Sequence, residues 1–309
     1  MKIYILSMMI FVVVIITSCL VIDEPLRVST CQASEGLISR SMVFSTVESG
    51  YIEVNGGRIF YEAAGQGPAI VMIHDGLLHR ETWDGQFAEF AKRYRVIRSD
   101  RRGYGRSDTP KMPFSYLDDL LAVMKAHKVE RAWLMGCSAG GMLAIHFALD
   151  HPEMVSGLVL VGPIVSGFGF SDHFTTRGGR GMPNDDAPVG QRIEYWTSKD
   201  PWIMAPESLA AKQKMKALLT ANPQNLRIPW QLIRWPDTPA LGRLSQIKVP
   251  TLIVVGESDI PDVHAHIGAI QAGIADSKRV VVTHSGHLPH MEVSSAFNQV
   301  VLDFLQSIK

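Results

Sequence analysis

A serine flanked by glycines lies between an apolar strand and an apolar helix, and this stretch constrains the fold more than any other. The segment Gly136–Gly140 (GCSAG) follows the apolar run Ala132–Met135 and precedes the apolar run Met142–Leu149. This pattern predicts a strand, a sharp turn and a helix, with the Ser138 hydroxyl projecting from the edge of the sheet. Glycine suits both flanks because neighbouring backbone passes close to such a turn. The helix N-terminus offers free N–H groups and a positive dipole end, which suit a developing oxyanion.

Composition sets limits on the rest of the chain. With 309 residues and 46% hydrophobic content, the chain is long enough to bury a large core. The formal net charge is zero, so nothing favours nucleic acid or an acidic partner. Of the three cysteines, Cys137 lies in the turn, and Cys19 and Cys31 precede any folded pattern. These positions do not indicate a disulfide framework.

The first 18 residues predict a signal peptide. Met1 and Lys2 precede the apolar run Ile3–Ile16, and small residues follow it, as is typical of secretion signals. The segment before Cys19 also resembles a bacterial lipobox, in which that cysteine becomes the lipidated first residue. An uncleaved anchor and ordinary cleavage are the alternatives. We therefore expect export to a bacterial cell envelope, with a membrane tether through lipidated Cys19 or an uncleaved anchor, or as a periplasmic or secreted protein. Residues 19–48 are expected to be a loose tether.

From residue 49 onward, apolar strands alternate with helical segments. Tyr51–Val54 and Arg58–Tyr61 alternate around Asn55-Gly56, which predicts a hairpin. The later apolar runs predict a mostly parallel central sheet with helices on both faces, the α/β class. The runs predicted to be strands are Ala69–Ile73, Tyr94–Ser99, Ala132–Met135, Val155–Val161, Thr251–Val255 and Arg279–Thr283.

The alternation of apolar strands and helical segments stops between residues 164 and 249. The stretch is rich in turns and holds four of the six tryptophans of the chain. A connection of this length is usually functional. We interpret it as a helical cap inserted into a core made of residues 49–163 and 250–309. Its tryptophans would either line a site or form the core of the cap itself.

Three chemically reactive side chains follow strands, in the order Ser138, Asp259 and His287. Ligands of open α/β sheets bind at the carboxyl ends of the strands, so we expect these three side chains to meet there. A serine hydroxyl needs a general base to attack, and His287 would supply it. Asp259 would fix the tautomer of that histidine and stabilise its charged form. For the oxyanion, we expect N–H groups from Ala139 and, after the Ala69–Ile73 strand, from Gly76.

With these features in order, the chain resembles an α/β-hydrolase of the cap-bearing kind. That group includes enol-lactonases, meta-cleavage-product hydrolases, small esterases and cofactor-free haloperoxidases. The matching features are His74-x-Gly76 with Trp83-Asp84, the loop Asp100–Asp108, the turn at Ser138, Gly256-Glu-x-Asp259, and Gly286-His287 with Glu292.

The resemblance implies hydrolysis of an ester, lactone, thioester or C–C bond of a small acyl substrate through an acyl-enzyme. It implies neither a metal nor an organic cofactor. Dehalogenases and epoxide hydrolases of this fold carry aspartate at the turn, so Ser138 argues against both. We expect a carboxylic ester hydrolase. The alternatives are a C–C bond hydrolase and a catalytically silent hydrolase fold used for binding.

One residue departs from the family pattern. Many relatives carry glycine directly after the histidine at this strand end, whereas this chain carries Asp75. A carboxylate aimed at the oxyanion would oppose its charge. We therefore expect the Asp75 side chain to turn away and its backbone to shape the oxyanion hole.

Several other residues compete for functional roles. Asp262 and Glu257 are weaker candidates than Asp259 for the carboxylate. The spacing of His284, His287 and His290 suggests a metal site only superficially, since no Asp or Cys ligand set accompanies it.

Two further groups of residues have ordinary explanations. Cys137 is expected to be a small buried thiol rather than a nucleophile. Arg177, Arg180 and Arg192 could recognise a substrate carboxylate, although solvated charge is the default expectation for such residues.

Overall fold

The computed structural model describes residues 46–179 and 181–308. The predictions for the signal peptide, for Cys19 and for most of the tether lie outside these residues. The described chain is built on an eight-stranded sheet with the order β1-β2-β4-β3-β5-β6-β7-β8. The strands are β1 Glu48–Val54, β2 Gly57–Ala64, β3 Ala69–Ile73, β4 Arg95–Ser99, β5 Ala132–Cys137, β6 Val155–Val161, β7 Thr251–Gly256 and β8 Ser277–Val282.

The sheet is mostly parallel, as the sequence predicts. Strands β3 to β8 run parallel, and only the hairpin β1-β2 pairs antiparallel, with β2 also antiparallel to β4. Val54 pairs with Gly57 and leaves Asn55 and Gly56 as the two turn residues, with Gly56 at a φ of +79°. Every residue of β5 and of β7 is buried. These central strands therefore read as continuous apolar runs because helices cover both faces.

Nine α-helices lie in the described part of the chain. They are α1 Asp84–Phe90, α2 Tyr116–Ala126, α3 Ala139–Asp150, α4 Asp172–Thr176, α5 Val189–Glu194, α6 Leu209–Ala221, α7 Pro261–Gly273, α8 Pro289–Glu292 and α9 Ser294–Ser307. Helix α7 begins at Pro261, because a proline is tolerated in the first turn, where a missing N–H is harmless. Among the described residues, no helix is both long enough and apolar enough to cross a bilayer.

The described residues of the segment between β6 and β7, residues 164–249, add no strand to the sheet. We call this segment the insertion. It contains α4, α5 and α6, a π-helical turn at Tyr195–Lys199 and several 3₁₀ turns. Its tryptophans do not share one environment. Trp230 and Trp235 are 47% and 39% exposed, whereas Trp196 and Trp202 are partly buried against the main core.

Candidate active site

Ser138 lies at a sharp turn between β5 and α3. Its φ is +53° and its ψ is −115°, a combination that costs a non-glycine residue about 1–3 kcal/mol. The turn is held because the Ser138 N–H donates to the carbonyl of Val161 at 2.8 Å. A Cβ added at Gly136 would lie 2.3 Å from the carbonyl oxygen of Gly140, and one at Gly140 would lie 2.3 Å from that of Ile73. Glycine is therefore required on both sides of the serine.

The loops after β7 and β8 bring Asp259 and His287 together. His287 Nδ1 lies 2.8 Å from Asp259 Oδ1, and both side chains are buried. A carboxylate only accepts hydrogen bonds, so Nδ1 carries the proton and Nε2 is left as the basic nitrogen. Asp259 Oδ1 also accepts from the Ile260 N–H at 2.6 Å, which fixes the carboxylate.

The other two candidate carboxylates lie elsewhere. Asp262 accepts from the Ser171 N–H at 2.6 Å and from its hydroxyl at 2.9 Å, so it holds the start of α4. Glu257 is exposed, and its nearest polar partner is the His284 N–H at 3.5 Å. Among the three carboxylates considered from the sequence, Asp259 is therefore the one that contacts His287.

Opposing effects set the pKa of His287. Burial lowers it, but the charge of Asp259 and the hydrogen bond to it raise it, and Asp75 adds a smaller increase. The net result is a pKa above the ordinary histidine value of 6.5. His287 therefore takes up a proton more readily than a histidine in water, as suits a general base that becomes charged during a reaction.

A cavity of about 170 Å³ joins these elements. Ser138 and His287 both line it, and it lies at the carboxyl ends of the strands, where α/β folds bind ligands. The insertion contributes much of the remaining wall. The lining residues from the insertion are Ile164, Phe174, Arg177, Trp196 and Ile203.

The two residues whose backbone N–H groups are proposed for an oxyanion lie next to each other. Ala139 is the first residue of α3, and a Cβ added at Gly76 would lie 3.8 Å from the Ala139 Cβ. The N–H groups of Leu77 and Leu78 are occupied, since both donate to Asp75 Oδ1 at 2.7 and 2.9 Å. Within the described part of the chain, no hydrogen bond is formed by the N–H of Gly76 or of Ala139. Both are therefore available to a ligand.

The expectation that Asp75 turns away from the site is met only in part. Its Oδ1 is held inside its own loop by Leu77 and Leu78. The residue nevertheless lines the cavity, and its Oδ2 is buried with no hydrogen-bond partner among the described residues. The local turn thus keeps the carboxylate close enough to raise the pKa of His287.

His74 supports this loop and is held uncharged. Its Nδ1–H donates to the Asp75 carbonyl at 2.8 Å, and its Nε2 accepts from the Arg101 N–H at 2.9 Å. Complete burial and the nearby charge of Arg101 hold the pKa of His74 well below its usual range. Because its ring is neutral and both nitrogens already form hydrogen bonds, His74 stabilises the loop and does not act as a base.

Glu292 connects the loop of His287 to the insertion. Its Oε1 accepts from the N–H groups of Gly286 and Leu288, on either side of His287, at 2.9 and 3.3 Å. Its Oε2 accepts from the Ala205 N–H at 2.7 Å and from the Ser208 hydroxyl at 2.8 Å. The sequence marks Glu292 as part of a motif, but only the structure shows that one carboxylate holds both segments.

Sequence reasoning missed Gly162, which directly follows β6. Its φ is +50°, and an added Cβ would lie 2.9 Å from His287 Nδ1 and 3.0 Å from Asp259 Oδ2. Any larger residue would push against the pair. A glycine at the end of a buried strand was the available signal, and it is a weak one because many strands end in glycine.

The three histidines with regular spacing do not gather. His284 is largely exposed, and His287 pairs with Asp259. His290 is buried with its Nε2 2.8 Å from the Thr82 hydroxyl, and burial, with the nearby charge of His287, lowers its pKa to about 3. In the described ranges, no three His, Cys, Asp or Glu side chains form a group suited to a metal ion.

Cys137 lies among the core residues. It is fully buried, and burial, with the nearby charges of Asp75 and Asp259, holds the pKa of its thiol well above the ordinary value. A buried thiol with a raised pKa is a poor nucleophile.

The chain is similar in sequence and in structure to known hydrolases. The 2-hydroxy-6-oxo-6-phenylhexa-2,4-dienoate hydrolase of Comamonas testosteroni is 30% identical over 273 residues, which cover 80% of this chain and 91% of that protein. The solved structure described as "Est816 as an N-Acyl homoserine lactone degrading enzyme" is 28% identical, with a TM-score of 0.69, and the match covers 82% of this chain and 100% of that one. The enol-lactonase of Burkholderia xenovorans is 22% identical with a TM-score of 0.71, covers 83% of this chain and 100% of its own, and shares the fold.

The model of the alpha/beta hydrolase family matches residues 70–300, which contain the serine turn, both loops of the Asp259–His287 pair and the whole insertion. On this match, the chain belongs to the alpha/beta hydrolase family and is a hydrolase of that fold.

Proposed function

We propose that this protein is a serine hydrolase that cleaves a small carboxylic ester, lactone or thioester through an acyl-enzyme. The observation that carries the proposal is the cavity at the strand ends, which Ser138 and His287 line together while Asp259 holds His287 from behind at 2.8 Å. The relatives named as acting on lactones and on 2-hydroxy-6-oxo acids support acyl chemistry at such a site.

The reaction follows from the roles that these groups can take. His287 Nε2 removes the proton from the Ser138 hydroxyl as its oxygen attacks the substrate carbonyl carbon. The oxyanion accepts hydrogen bonds from the N–H groups of Gly76 and Ala139. When the tetrahedral intermediate collapses, the bond to the leaving alcohol, thiol or ring oxygen breaks, and His287 returns the proton to it. Water, activated by His287, then cleaves the acyl-serine.

An active-site probe tests the proposal directly. We expect a fluorophosphonate to label the wild type and to fail on Ser138→Ala. Cys137→Ala is the matched control beside it, and we expect it to keep the label, because the buried thiol is not the nucleophile. A folded wild type that is neither labelled nor active on aryl esters would contradict the proposal and favour a catalytically silent binding protein.

A second candidate is hydrolysis of a C–C bond, favoured by the similarity to the Comamonas testosteroni enzyme. The two candidates differ in substrate. Turnover of vinylogous 1,5-diketones without turnover of simple esters would identify the C–C hydrolase, and the reverse result would identify the esterase.

We further propose that residues 164–249 act as a cap and that the N-terminus attaches the enzyme to the cell envelope through Cys19. The cap proposal is supported by the five insertion residues that line the cavity. For the attachment, mass spectrometry of the mature protein provides the test. A diacylglyceryl group on Cys19 supports it, an intact Met1 indicates an uncleaved anchor, and an unmodified new N-terminus indicates secretion.

A further inference from the structure

Arg177 is a buried cation in the wall of the cavity. It is only 5% exposed, although arginine is rarely buried without a specific partner. It lines the same cavity as Ser138 and His287, and its charge is close enough to act on the pKa of His287, which it lowers slightly. The default expectation from the sequence, a solvated surface charge, is therefore wrong for this arginine.

The guanidinium is held in place from several sides. Its carbon lies 4.5 Å from the centre of the Phe174 ring and 5.4 Å from that of Trp196, and both rings also line the cavity. Its Nε lies 3.3 Å from Oδ2 of the fully buried Asp200. Stacking and ion pairing restrict the rotation of the side chain, so little rotamer entropy remains to be lost when a ligand binds.

Two of the three guanidinium nitrogens of this side chain form no hydrogen bond within the described part of the chain. Nε and Nη1 of Arg177 are buried and have no hydrogen-bond partner among the described residues, since the ion pair with Asp200 does not reach hydrogen-bond geometry. A buried unpaired donor costs about 1–3 kcal/mol, and more when it is charged. Such a group calls for an explanation, and a ligand in the cavity supplies one.

The wall of the cavity carries charges of both signs. Asp75 and Arg177 both line it, and each has buried polar atoms without a hydrogen-bond partner among the described residues. An anionic group is repelled by Asp75 and attracted by Arg177. A planar guanidinium can bind two carboxylates on different edges, so Asp200 does not prevent a second carboxylate from binding.

We propose that Arg177 binds an anionic group of the substrate, so that the enzyme prefers esters, lactones or thioesters whose acyl part carries a carboxylate. This inference rests on the proposed serine hydrolase function and deepens it by naming a substrate class. Arg177 is then a specificity-determining residue supplied by the insertion.

A pair of nearly isosteric substrates tests this. Monoethyl succinate carries a carboxylate where ethyl levulinate carries a neutral acetyl group, and released ethanol reports hydrolysis of both. We expect the wild type to show a higher kcat/KM for monoethyl succinate, and the ratio of the two values to fall about 10- to 100-fold in Arg177→Met, as befits a charged hydrogen bond. A wild type without this preference, or a variant with an unchanged ratio, would overturn the proposal.

Matched variants separate binding from folding. Arg192 is a second buried arginine of the insertion. It pairs with Asp185 at 2.8 Å and lies outside the cavity lining, so Arg192→Met should leave the substrate ratio unchanged. Removing Arg177 alone leaves Asp200 as an unpaired buried charge, which is destabilising. Arg177→Met combined with Asp200→Asn removes both charges, keeps an acceptor for the Trp202 and Ile203 N–H groups, and should lose the preference as well.

A binding measurement distinguishes failure of this inference from failure of the proposed function. Monoethyl succinate is titrated calorimetrically into Ser138→Ala and into Ser138→Ala with Arg177→Met. Binding that depends on Arg177 supports the inference even if the wild type hydrolyses no ester. Hydrolysis of both esters without any dependence on Arg177 leaves the serine hydrolase intact and overturns the inference.

Discussion

The two walls of the cavity are built in different ways. One wall stands on short loops that directly follow strands, and it carries Ser138, Gly76 and His287. The other belongs to the insertion and carries Phe174, Arg177 and Trp196 on short helices and turns. In the first wall, hydrogen bonds of backbone N–H groups fix each loop: the Ser138 N–H donates to the Val161 carbonyl of β6, Asp75 accepts from its own loop, and Glu292 accepts from the residues on either side of His287. In the second, side chains are fixed by stacking and by the buried pair of Arg177 with Asp200.

The groups proposed to make and break bonds and the groups proposed to select the substrate therefore lie on different walls. The proposed bond-making groups lie on the wall whose loops follow the strands, where small displacements would be costly. The groups proposed to choose the substrate lie on the wall that a different insertion could replace without disturbing the sheet. Folds of this kind support many reactions in just this way.

The largest expected effect lies on the strand-end wall, at the carboxylate behind His287. Asp259→Asn should lower kcat for an aryl ester by about 10⁴-fold, because an amide no longer holds the reactive tautomer of the histidine. Asp262→Asn is the matched control, since Asp262 contacts Ser171 rather than His287, and its kcat should stay within a few-fold of the wild type. Equal losses in the two variants would contradict the assignment of Asp259.

The next effect tests how tightly that wall is packed. Gly162→Ala places a Cβ against His287 and Asp259 at a φ of +50°, so we expect about a 10- to 100-fold loss of kcat/KM. Gly169→Ala serves as the comparison in the insertion, because nothing lies within 4 Å of its added Cβ. Retention of full activity by Gly162→Ala would mean that the pair tolerates displacement and that the contrast between the walls is overstated.

Glu292 joins the two walls of the cavity. The variant Glu292→Gln measures how much this connection contributes to the stability of the protein. In Glu292→Gln, one end of the amide must face N–H donors, so we expect the free energy of unfolding to fall by about 1–3 kcal/mol in urea titrations. Activity should fall several-fold as the loop of His287 loosens. The exposed Glu257→Gln, on the neighbouring loop, should change stability by less than about 0.5 kcal/mol. If Glu292→Gln and Glu257→Gln unfold with the same free energy, the hydrogen bonds of Glu292 between the two walls contribute nothing to stability.

The smallest effect is a shift along the pH axis. The proposed base acts as neutral His287, so activity falls as the pH drops through a pKa that lies above 6.5. Asp75 is one of the charges that raise this pKa, so Asp75→Asn should move the acid limb of kcat/KM to lower pH while keeping an Oδ1 acceptor for Leu77 and Leu78. A limb that stays in place or moves upward would show that Asp75 does not act on His287.

Local sequence signals predicted the strand-end wall well. The predicted bounds of β3 and β6 match the structure, and those of the other central strands differ by one or two residues. Ser138, Asp259 and His287 were recognisable because each follows an apolar run within a few residues, and parallel strands bring their carboxyl ends to one edge. The pairing of Asp259 with His287 then follows from the sheet order, in which β7 and β8 are neighbours.

The same signals did not predict the insertion wall. Arg177 and Arg192 both look like surface charges, and nothing local distinguishes the one that lines the cavity. The Asp75 side chain was expected to turn away from the site; its Oδ1 is held by the N–H groups of Leu77 and Leu78, but the residue still lines the cavity. Gly162 looked like any glycine after a strand, because its contact with His287 crosses 125 residues of sequence.

The sequence by itself determined the α/β class, the serine turn and the residues proposed for catalysis, since the periodicity of apolar residues and the steric demands of glycine act over short distances. Only the tertiary structure decided that Glu292 ties His287 to the insertion, that Asp75 remains at the cavity and that Arg177 is buried in the cavity wall. These outcomes depend on contacts between segments far apart in the chain, where packing and burial rather than local patterns set the energy.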